Sequence, residues 1–377
     1  MRASVERLVL VLRWGVVALL AAGLMVCTGR PLQAHKPITS KYTYTDHVLP
    51  ILRERCGGCH VAGSVAPMSL LTYQAAKPWA ESIRDELESE RMPPWFVDAT
   101  GPAARGPRGI TAREIDTIIT WAVGGVPEGP PARSGAAAEP RARWADAPPD
   151  VELPMPADHT LPAGVQEERH TIAVPTHFRE DQWITGADLL PGAPAMVRDA
   201  TISVEGGPVL AVWEPGSTAP KAPPGTAFRV PAGAALRLDI HYKKTWRDEQ
   251  NALSDRSTVG LYVSKAPARD IESVTFAEFA GMTLDTPVTL LALRPAIDQQ
   301  YAEIDVLATK PGGERLPLLR LHKPRPEWPY RYWLAQRIRL PAGTSLQTTT
   351  ISSAPDPDAP SAPGRDPVRI GVDFIRQ

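Results

Sequence analysis

The chain has 377 residues, enough for about two or three domains with separate hydrophobic cores. Its formal net charge of −1 argues against a nucleic-acid partner and against an electrostatically held membrane surface. The 41 prolines and 28 glycines, set against 22% charged residues, favour short elements and many turns over long helices.

The first 34 residues have the layout of a secretory signal peptide. Three arginines precede an apolar run from Trp14 to Val26, and Leu32-Gln33-Ala34 then offers a small-residue cleavage site. The run is shorter than the roughly 20 apolar residues of a spanning helix. We therefore predict a periplasmic protein that is cleaved after Ala34 and has no membrane span in its mature form. An uncleaved N-terminal anchor is the alternative.

Residues 35–129 follow with three helical patterns joined by short connections. The segment TDHVLPILRER leads straight into Cys56, AAKPWAESIRDEL carries one apolar stripe, and ITAREIDTIITWAVGG begins with a capping box of Thr111 and Glu114. Three helices in so few residues bury little core by themselves. The pattern indicates a small helical domain whose core is completed by a large apolar cofactor.

The segment RERCGGCHVAG brings together Cys56, Cys59 and His60. A zinc site needs four ligands, and only His47 is near enough in sequence to join them. A thioredoxin-like pair follows a strand, whereas a helical pattern leads in here. Loss of Cys27 with the signal peptide leaves no other cysteine in the mature chain. In an exported protein the motif predicts one covalent haem c, with thioethers from both cysteines and iron ligation by His60.

Two methionines compete for the sixth position on the haem iron. Met92 lies on a segment stiffened by Pro93 and Pro94, which would hold a weak thioether ligand at low entropic cost. Met68 follows His60 closely in sequence and would have to cross the haem edge to reach the distal face. We predict Met92 as the distal ligand.

The motifs APMSLLTY, RMPPW and WAVGGVPEG carry a resemblance to a known family. Residues 42–129 resemble the small c-type cytochrome domains of bacterial periplasmic proteins, which precede a copper type II monooxygenase-like region. In that family the methionine of MPPW is the distal ligand, and the resemblance transfers this role to Met92. Phe96 departs from the pattern, because relatives often have histidine after the tryptophan.

Residues 130–150 are rich in Pro, Ala and Arg and are predicted to be an extended linker. The later segments LRLDIHY, TVGLYVS, VTLLALR, AEIDVLA and SLQTTTI alternate or are β-branched, which predicts antiparallel strands. We place them in two sandwiches, at 151–265 and 266–377. The predicted fold class is multidomain α plus all-β: a small all-α class I cytochrome c domain followed by two tandem antiparallel jelly-roll β-sandwiches.

The segments LLPGAPAMVRDATI and LRLDIHYKKT resemble the copper type II, ascorbate-dependent monooxygenases, the group of peptidylglycine α-hydroxylating monooxygenase and dopamine β-hydroxylase. The resemblance implies one copper in each sandwich. At the first copper, Arg198 and Asp199 replace a histidine pair, and only His241 occupies a ligand position. At the second, Ala296 and Asp298 replace a His-x-His. One imidazole cannot hold a mononuclear copper, so bound copper is not expected. Arg198 and Asp199 are then most simply a solvated pair.

Three further histidines could rebuild a copper site around His241. They are His159, His170 and His177, which are predicted to share a sandwich with it. Their simpler interpretation is that they lie at the surface or have ordinary hydrogen-bond partners.

These motifs predict an exported c-type cytochrome that passes single electrons to periplasmic redox partners as a carrier without catalytic residues. The copper-less sandwiches are expected to be a docking or scaffold module, within a larger electron-transfer assembly. Two alternatives stay open. One is a haem-linked copper monooxygenase with a rearranged site around His241, and the other is a haem with an open sixth position.

Overall fold

The computed structural model describes most of the chain: residues 39–94, 96–98, 100–105, 109–130, 144, 147–217, 221–265, 268–353 and 367–377. The predicted signal peptide at 1–34 and residues 131–143 of the predicted linker lie outside the described residues. In the part of the chain that is described, no helix has the length and apolar character needed to cross a membrane.

Short helices gather in the N-terminal part of the chain. A π-helical turn (Tyr44–Val48) precedes four α-helices: α1 (Leu49–Arg55), α2 (Tyr73–Ala76), α3 (Ala80–Glu88) and α4 (Ala112–Val123). Single 3-10 turns lie at Lys77–Trp79 and Trp246–Asp248. The predicted capping box at the start of α4 is confirmed, because Thr111 Oγ1 accepts from Glu114 N and Glu114 accepts from Thr111 N. Glu114 also binds Arg55 Nη2 at 3.0 Å, which ties α4 to α1.

The helices share one apolar cluster, which we call the helical cluster. Its buried members are Tyr44, Val48, Leu49, Leu52, Leu70, Ala76, Ala80, Ile83, Leu87, Ile118 and Trp121. Cys56 and Met68 pack against it from the side, each partly buried.

The described residues also contain twenty strands. They are β1 (Ala104–Arg105), β2 (Val151–Pro154), β3 (His159–Leu161), β4 (Glu167–Pro175), β5 (Gln182–Leu190), β6 (Val197–Val204), β7 (Val209–Trp213), β8 (Thr226–Val230), β9 (Ala235–Lys243), β10 (Leu253–Asp255), β11 (Thr258–Val263), β12 (Arg269–Asp270), β13 (Glu272–Ala277), β14 (Met282–Thr283), β15 (Val288–Ala296), β16 (Tyr301–Thr309), β17 (Arg315–His322), β18 (Tyr332–Leu340), β19 (Ser345–Ser352) and β20 (Arg369–Arg376).

Four large sheets form from these strands, in a propeller-like arrangement of four blades. Sheet I has the order β12-β8-β5-β11-β2, and sheet II has the order β4-β9-β6-β7. Sheet III has the order β1-β18-β15-β20-β13, and sheet IV has the order β14-β19-β16-β17. A separate two-stranded ribbon pairs β3 with β10. All these pairings are antiparallel except that of β12 with β8.

Two apolar clusters fill the spaces between the sheets. One lies between sheets I and II, where Phe228, Ile240 and Tyr242 are fully buried. The other lies between sheets III and IV. Trp333 belongs to sheet III but packs in the first cluster, so the two clusters are joined. In strands such as β6 and β16, alternate residues supply these clusters because successive side chains of a strand point to opposite faces. The central strands β15 and β20 are buried on both faces.

The predicted fold class is wrong. The chain is mostly β, with 42% strand and 14% helix, and the described residues contain no all-α cytochrome domain. The N-terminal part instead enters the β structure: Phe96 is buried in the cluster of sheets III and IV, Val97 bridges Leu321, and β1 pairs with β18. A strand of two residues has no periodicity of its own, and its partner strand comes far later in the chain. The predicted domain boundaries stay predictions.

Candidate functional site

The turn that carries Cys56, Cys59 and His60 continues directly from α1. Leu49 and Leu52 bury one face of α1, and the N–H of Cys56 donates to Leu52 O at 2.9 Å. The carbonyl of Cys56 then accepts from the N–H of Cys59 at 3.2 Å and from that of His60 at 2.9 Å. Because the backbone wraps around this one carbonyl, both cysteines and the imidazole lie on a single turn.

The two glycines of this turn allow close backbone contacts. A Cβ at Gly57 would lie 2.6 Å from the carbonyl oxygen of Arg53, and a Cβ at Gly58 would lie 2.9 Å from Gly216 Cα. Gly216 has φ +75°, a left-handed conformation that glycine adopts without strain. Cys59 Sγ lies 3.4 Å from Pro215 O. The Cys-Gly-Gly-Cys-His turn is therefore packed against the chain that follows β7.

Both thiols are free, and their surroundings disfavour the thiolate. Burial raises the pKa of Cys56 to about 12, with Cys59 adding to the shift and Arg55 opposing it. Burial also raises the pKa of Cys59 to about 11, with Glu214 adding to it and Arg198 opposing it. Cysteine pairs that exchange disulfides have lowered thiol pKa values. This pair therefore lacks the electrostatics of a thioredoxin-like site.

The backbone of His60 is hydrogen-bonded, whereas Nδ1 of its imidazole has no hydrogen-bond partner. The His60 carbonyl accepts from Leu70 N at 3.0 Å, and the buried Nδ1 makes no hydrogen bond. Burial lowers the pKa of His60. The nearby backbone of Met68 opposes this shift, although it makes no hydrogen bond with His60 Nδ1. Among the described side chains, no group of three metal ligands includes His60 or either cysteine. Within the described residues, Cys56, Cys59 and His60 therefore do not form a zinc site with other protein ligands.

The two candidate methionines lie in different clusters. Met68 packs against the helical cluster, which Cys56 also contacts. Met92 packs against the cluster of sheets III and IV, and its N–H donates to Glu86 O at 3.3 Å. The role of Met92 as distal ligand stays a prediction, and Met68 is the methionine that shares a cluster with Cys56.

A buried carboxyl group lies near Cys59. Glu214 is 8% exposed, and burial raises its pKa to about 8. A hydrogen bond with Tyr330 opposes this shift, the nearby Asp199 adds to it, and Arg198 opposes it. Sequence reasoning missed Glu214, because the segment VWEPG indicates only a turn.

Glu214 is expected to make the chain less stable as pH rises from about 5 to 8. In this window the unfolded chain releases the Glu214 proton while the folded chain keeps it, so the free energy of unfolding falls. Between pH 5 and pH 8 the free energy of unfolding of Glu214→Gln should rise relative to that of the wild type by at least about 1 kcal/mol. Urea denaturation at both pH values is the measurement. Glu205→Gln, at an exposed turn, is the control and should follow the wild type. Parallel pH profiles for Glu214→Gln and the wild type would contradict the prediction.

His241, which the family resemblance aligns with a copper ligand, is surrounded by carboxylates. Its Nδ1 lies 2.6 Å from Asp199 Oδ2 and its Nε2 lies 2.6 Å from Glu167 Oε1. The hydrogen bonds from Lys243 and His241 lower the pKa of Glu167, which keeps that carboxylate charged. Both ring nitrogens of His241 are therefore occupied. In this arrangement the histidine cross-links strands β4, β9 and β6.

The residues at the other positions that the resemblance assigns to copper have structural partners of their own. The guanidinium of Arg198 lies 4.2 Å from the centre of the Trp328 ring, and Asp199 is 2% exposed. The interpretation of these two as a solvated pair is wrong, because Asp199 is buried against His241. Ala296 ends β15, and Asp298 accepts from Tyr301 Oη at 3.2 Å. None of these positions supplies an imidazole.

Comparison with known proteins does not place the chain in a family. No family model matches it, and no curated protein matches it. Solved structures similar to parts of it include the major capsid protein P2 of bacteriophage PM2, with 10% identity over 60% of this chain and 97% of that chain, at a TM-score of 0.26. A putative alpha-L-fucosidase from Bacteroides ovatus has 13% identity over 70% of this chain and 48% of that one, at a TM-score of 0.18. Oxalate decarboxylase from Bacillus subtilis has 8% identity over 74% and 86%, at a TM-score of 0.15. TM-scores this low indicate neither the fold nor the function of the chain.

Proposed function

We propose that the chain is an exported c-type cytochrome that transfers single electrons through one haem c. The observation that carries the proposal is the turn itself: two free thiols and an imidazole with an unpaired Nδ1 lie on one backbone turn beside apolar side chains. Thioether attachment needs two cysteines that are not already joined or committed to another metal, and this pair fits that need. The haem, when bound, supplies a one-electron couple at its iron.

The residues of this chain then have separate tasks. Cys56 and Cys59 tether the porphyrin, and His60 supplies the proximal nitrogen. The free Nδ1 of His60 can donate to a backbone acceptor, which would fix the ring and tune the iron. The buried residues of the helical cluster keep water from the tethered side. Met92 is the proposed sixth ligand.

The β region is proposed to act as a docking or scaffold module for redox partners in the periplasm, within a larger assembly. Two observations support its close coupling to the haem turn. Gly58 touches Gly216, and Cys59 Sγ lies against Pro215 O. No observation at His241 favours the copper monooxygenase alternative, since both of its ring nitrogens are engaged.

The ligand assignment is tested by two matched substitutions in the full chain, produced together with a c-type cytochrome maturation system. We expect Met92→Ala to convert the low-spin reduced spectrum to that of a haem with an open or water-filled sixth position, because the thioether is lost. Met68→Ala should leave the spectrum unchanged. The reduced-minus-oxidised difference spectrum is the measurement.

Three results would change this account in different ways. A spectral change in Met68→Ala alone would move the distal ligand to Met68. No change in either variant would favour the open sixth position. A wild-type chain without haem bands would overturn the proposed function itself.

A further inference from the structure

A second group of possible metal ligands lies on the first half of the β region. His159 Nε2 lies 3.6 Å from Glu168 Oε2, and His170 Nδ1 lies 3.7 Å from Glu168 Oε1. One ligand atom from each of the three residues lies within 4.8 Å of the other two. These residues offer two imidazoles and a carboxylate, a ligand set that zinc and copper both accept.

Strand geometry explains why these residues meet. Glu168 and His170 are two positions apart on β4 and therefore point to the same face of sheet II. His159 comes from the ribbon of β3 and β10, and its ring stacks on that of His170 at 4.0 Å. On its other side His159 stacks on Tyr242 at 4.9 Å. The buried Tyr242 thus packs against the His159 ring and fixes its position.

The spacing of these atoms is too long for hydrogen bonds and suits shared ligation. Good N–H···O bonds measure about 2.7–3.2 Å, shorter than both separations to Glu168. Two ligand atoms on one tetrahedral metal, with bonds of about 2.0–2.1 Å, lie about 3.3 Å apart. Small side-chain movements would bring the three donors to that distance.

One donor of the group is buried without a partner. His159 Nε2 makes no hydrogen bond, and a buried polar atom left unpaired is costly. The neighbouring carboxylate of Asp255 is fully used, by Tyr242 Oη, Ala193 N and the Ser257 side chain. Glu168 and His170 are 37% and 39% exposed, so an ion can reach the site from solvent.

This group is distinct from the position of His241. In the pairing of β4 with β9, Arg169 lies opposite His241, while Glu168 lies opposite Tyr242 and His170 opposite Ile240. Tyr242 and Ile240 face the apolar cluster of sheets I and II. His241 therefore lies on the other face of sheet II, and no single ion can join it to this group.

We propose that His159, Glu168 and His170 bind one divalent transition-metal ion, Zn²⁺ or Cu²⁺, and leave a fourth position open. The site does not depend on the haem, because its residues lie on β3 and β4 and none of them belongs to the Cys56–His60 turn. Three protein ligands with an open position are typical of metal centres that bind an exogenous molecule.

Calorimetric titration of the full chain, purified without a histidine tag, tests the proposal with ZnCl₂ and CuCl₂ in separate experiments. We expect about one equivalent to bind the wild type with at least one of the two metals. Glu168→Gln should weaken binding by at least about tenfold, and His159→Asn with His170→Asn should abolish it. His177→Asn is the matched control, since His177 is exposed at φ +56°, a conformation that asparagine tolerates.

Two results would overturn the site. One is a wild type that binds neither metal. The other is equal metal affinity in the wild type, in Glu168→Gln and in the double variant of His159 and His170. If copper binds, its electron paramagnetic resonance spectrum should show coupling to two imidazole nitrogens. Should the double variant fail to fold, modification of the wild type by diethylpyrocarbonate decides the matter: Zn²⁺ must protect His159 and His170 but not His177. Equal modification with and without Zn²⁺ would also overturn the proposal.

Discussion

Replacing both cysteines of the haem turn, Cys56→Ser with Cys59→Ser, is expected to abolish covalent haem attachment completely. A hydroxyl cannot form the thioether that holds the porphyrin, and His60 alone is a single ligand. The haem-stained band of the full chain on a denaturing gel should therefore disappear, although the polypeptide is still made. This is the largest functional effect that the proposed function predicts.

The chain provides a matched control in its third cysteine. Cys27 lies in the predicted signal peptide, outside the described residues, and Cys27→Ser should leave the haem-stained band unchanged. Equal staining of the wild type and the Cys56→Ser, Cys59→Ser variant would contradict the attachment site. Loss of staining in Cys27→Ser alone would contradict it as well.

The largest stability effect is expected at Asp373, on β20 of sheet III. Asp373 Oδ2 lies 2.9 Å from Arg331 Nε, and both side chains are almost fully buried. The contact is an ion pair by distance, although its angle is not that of a hydrogen bond. Arg331 also donates to the carbonyls of Leu210 and Val209, so it connects the residue just before β18 to β7 of sheet II. Burial lowers the pKa of Arg331 to about 10.

Asp373→Asn should destabilise the chain by about 3 to 5 kcal/mol, because it leaves the buried guanidinium of Arg331 without its counter-charge. The free energy of unfolding from urea denaturation is the measurement. Glu272→Gln is the control in the same sheet: it breaks the exposed pair of Glu272 with Arg376 and should leave stability nearly unchanged. If Asp373→Asn costs no more than Glu272→Gln, Arg331 is not the buried link between sheets II and III that we describe.

Local features of the fold could be predicted from the sequence. The capping box of Thr111 and Glu114 begins α4 as expected, because it depends only on residues three apart. Each of the five segments chosen for alternation or β-branching contains a strand, namely β9, β11, β15, β16 and β19. Side chains of β16 alternate between core and surface over most of the strand, whereas β11 and β15 bury continuous apolar runs.

The fold class could not be predicted, because it depends on contacts between distant parts of the chain. The segment with Phe96 and Val97 follows a helix, and nothing in its composition shows that it will pack against Leu321. The same holds at the Cys56–His60 turn, where Gly58 meets Gly216. The proximity of Glu214 to Cys59 also arises only after folding.

The proposed metal-binding group is partly visible in the sequence. The sequence suggests His159 and His170 only as ligands of a rebuilt site around His241. The spacing of Glu168 and His170 on one strand, two residues apart, places them on one face and away from His241, and this was the available signal. The approach of His159 from a separate ribbon could not be read from spacing.

The central claim is covalent haem at the Cys56–His60 turn, and the most direct measurement is the pyridine haemochrome of the purified full chain after denaturation. We predict one haem c per chain that stays with the unfolded polypeptide. A chain without haem, on which both Cys56 and Cys59 react with a thiol reagent in denaturant, would contradict the account.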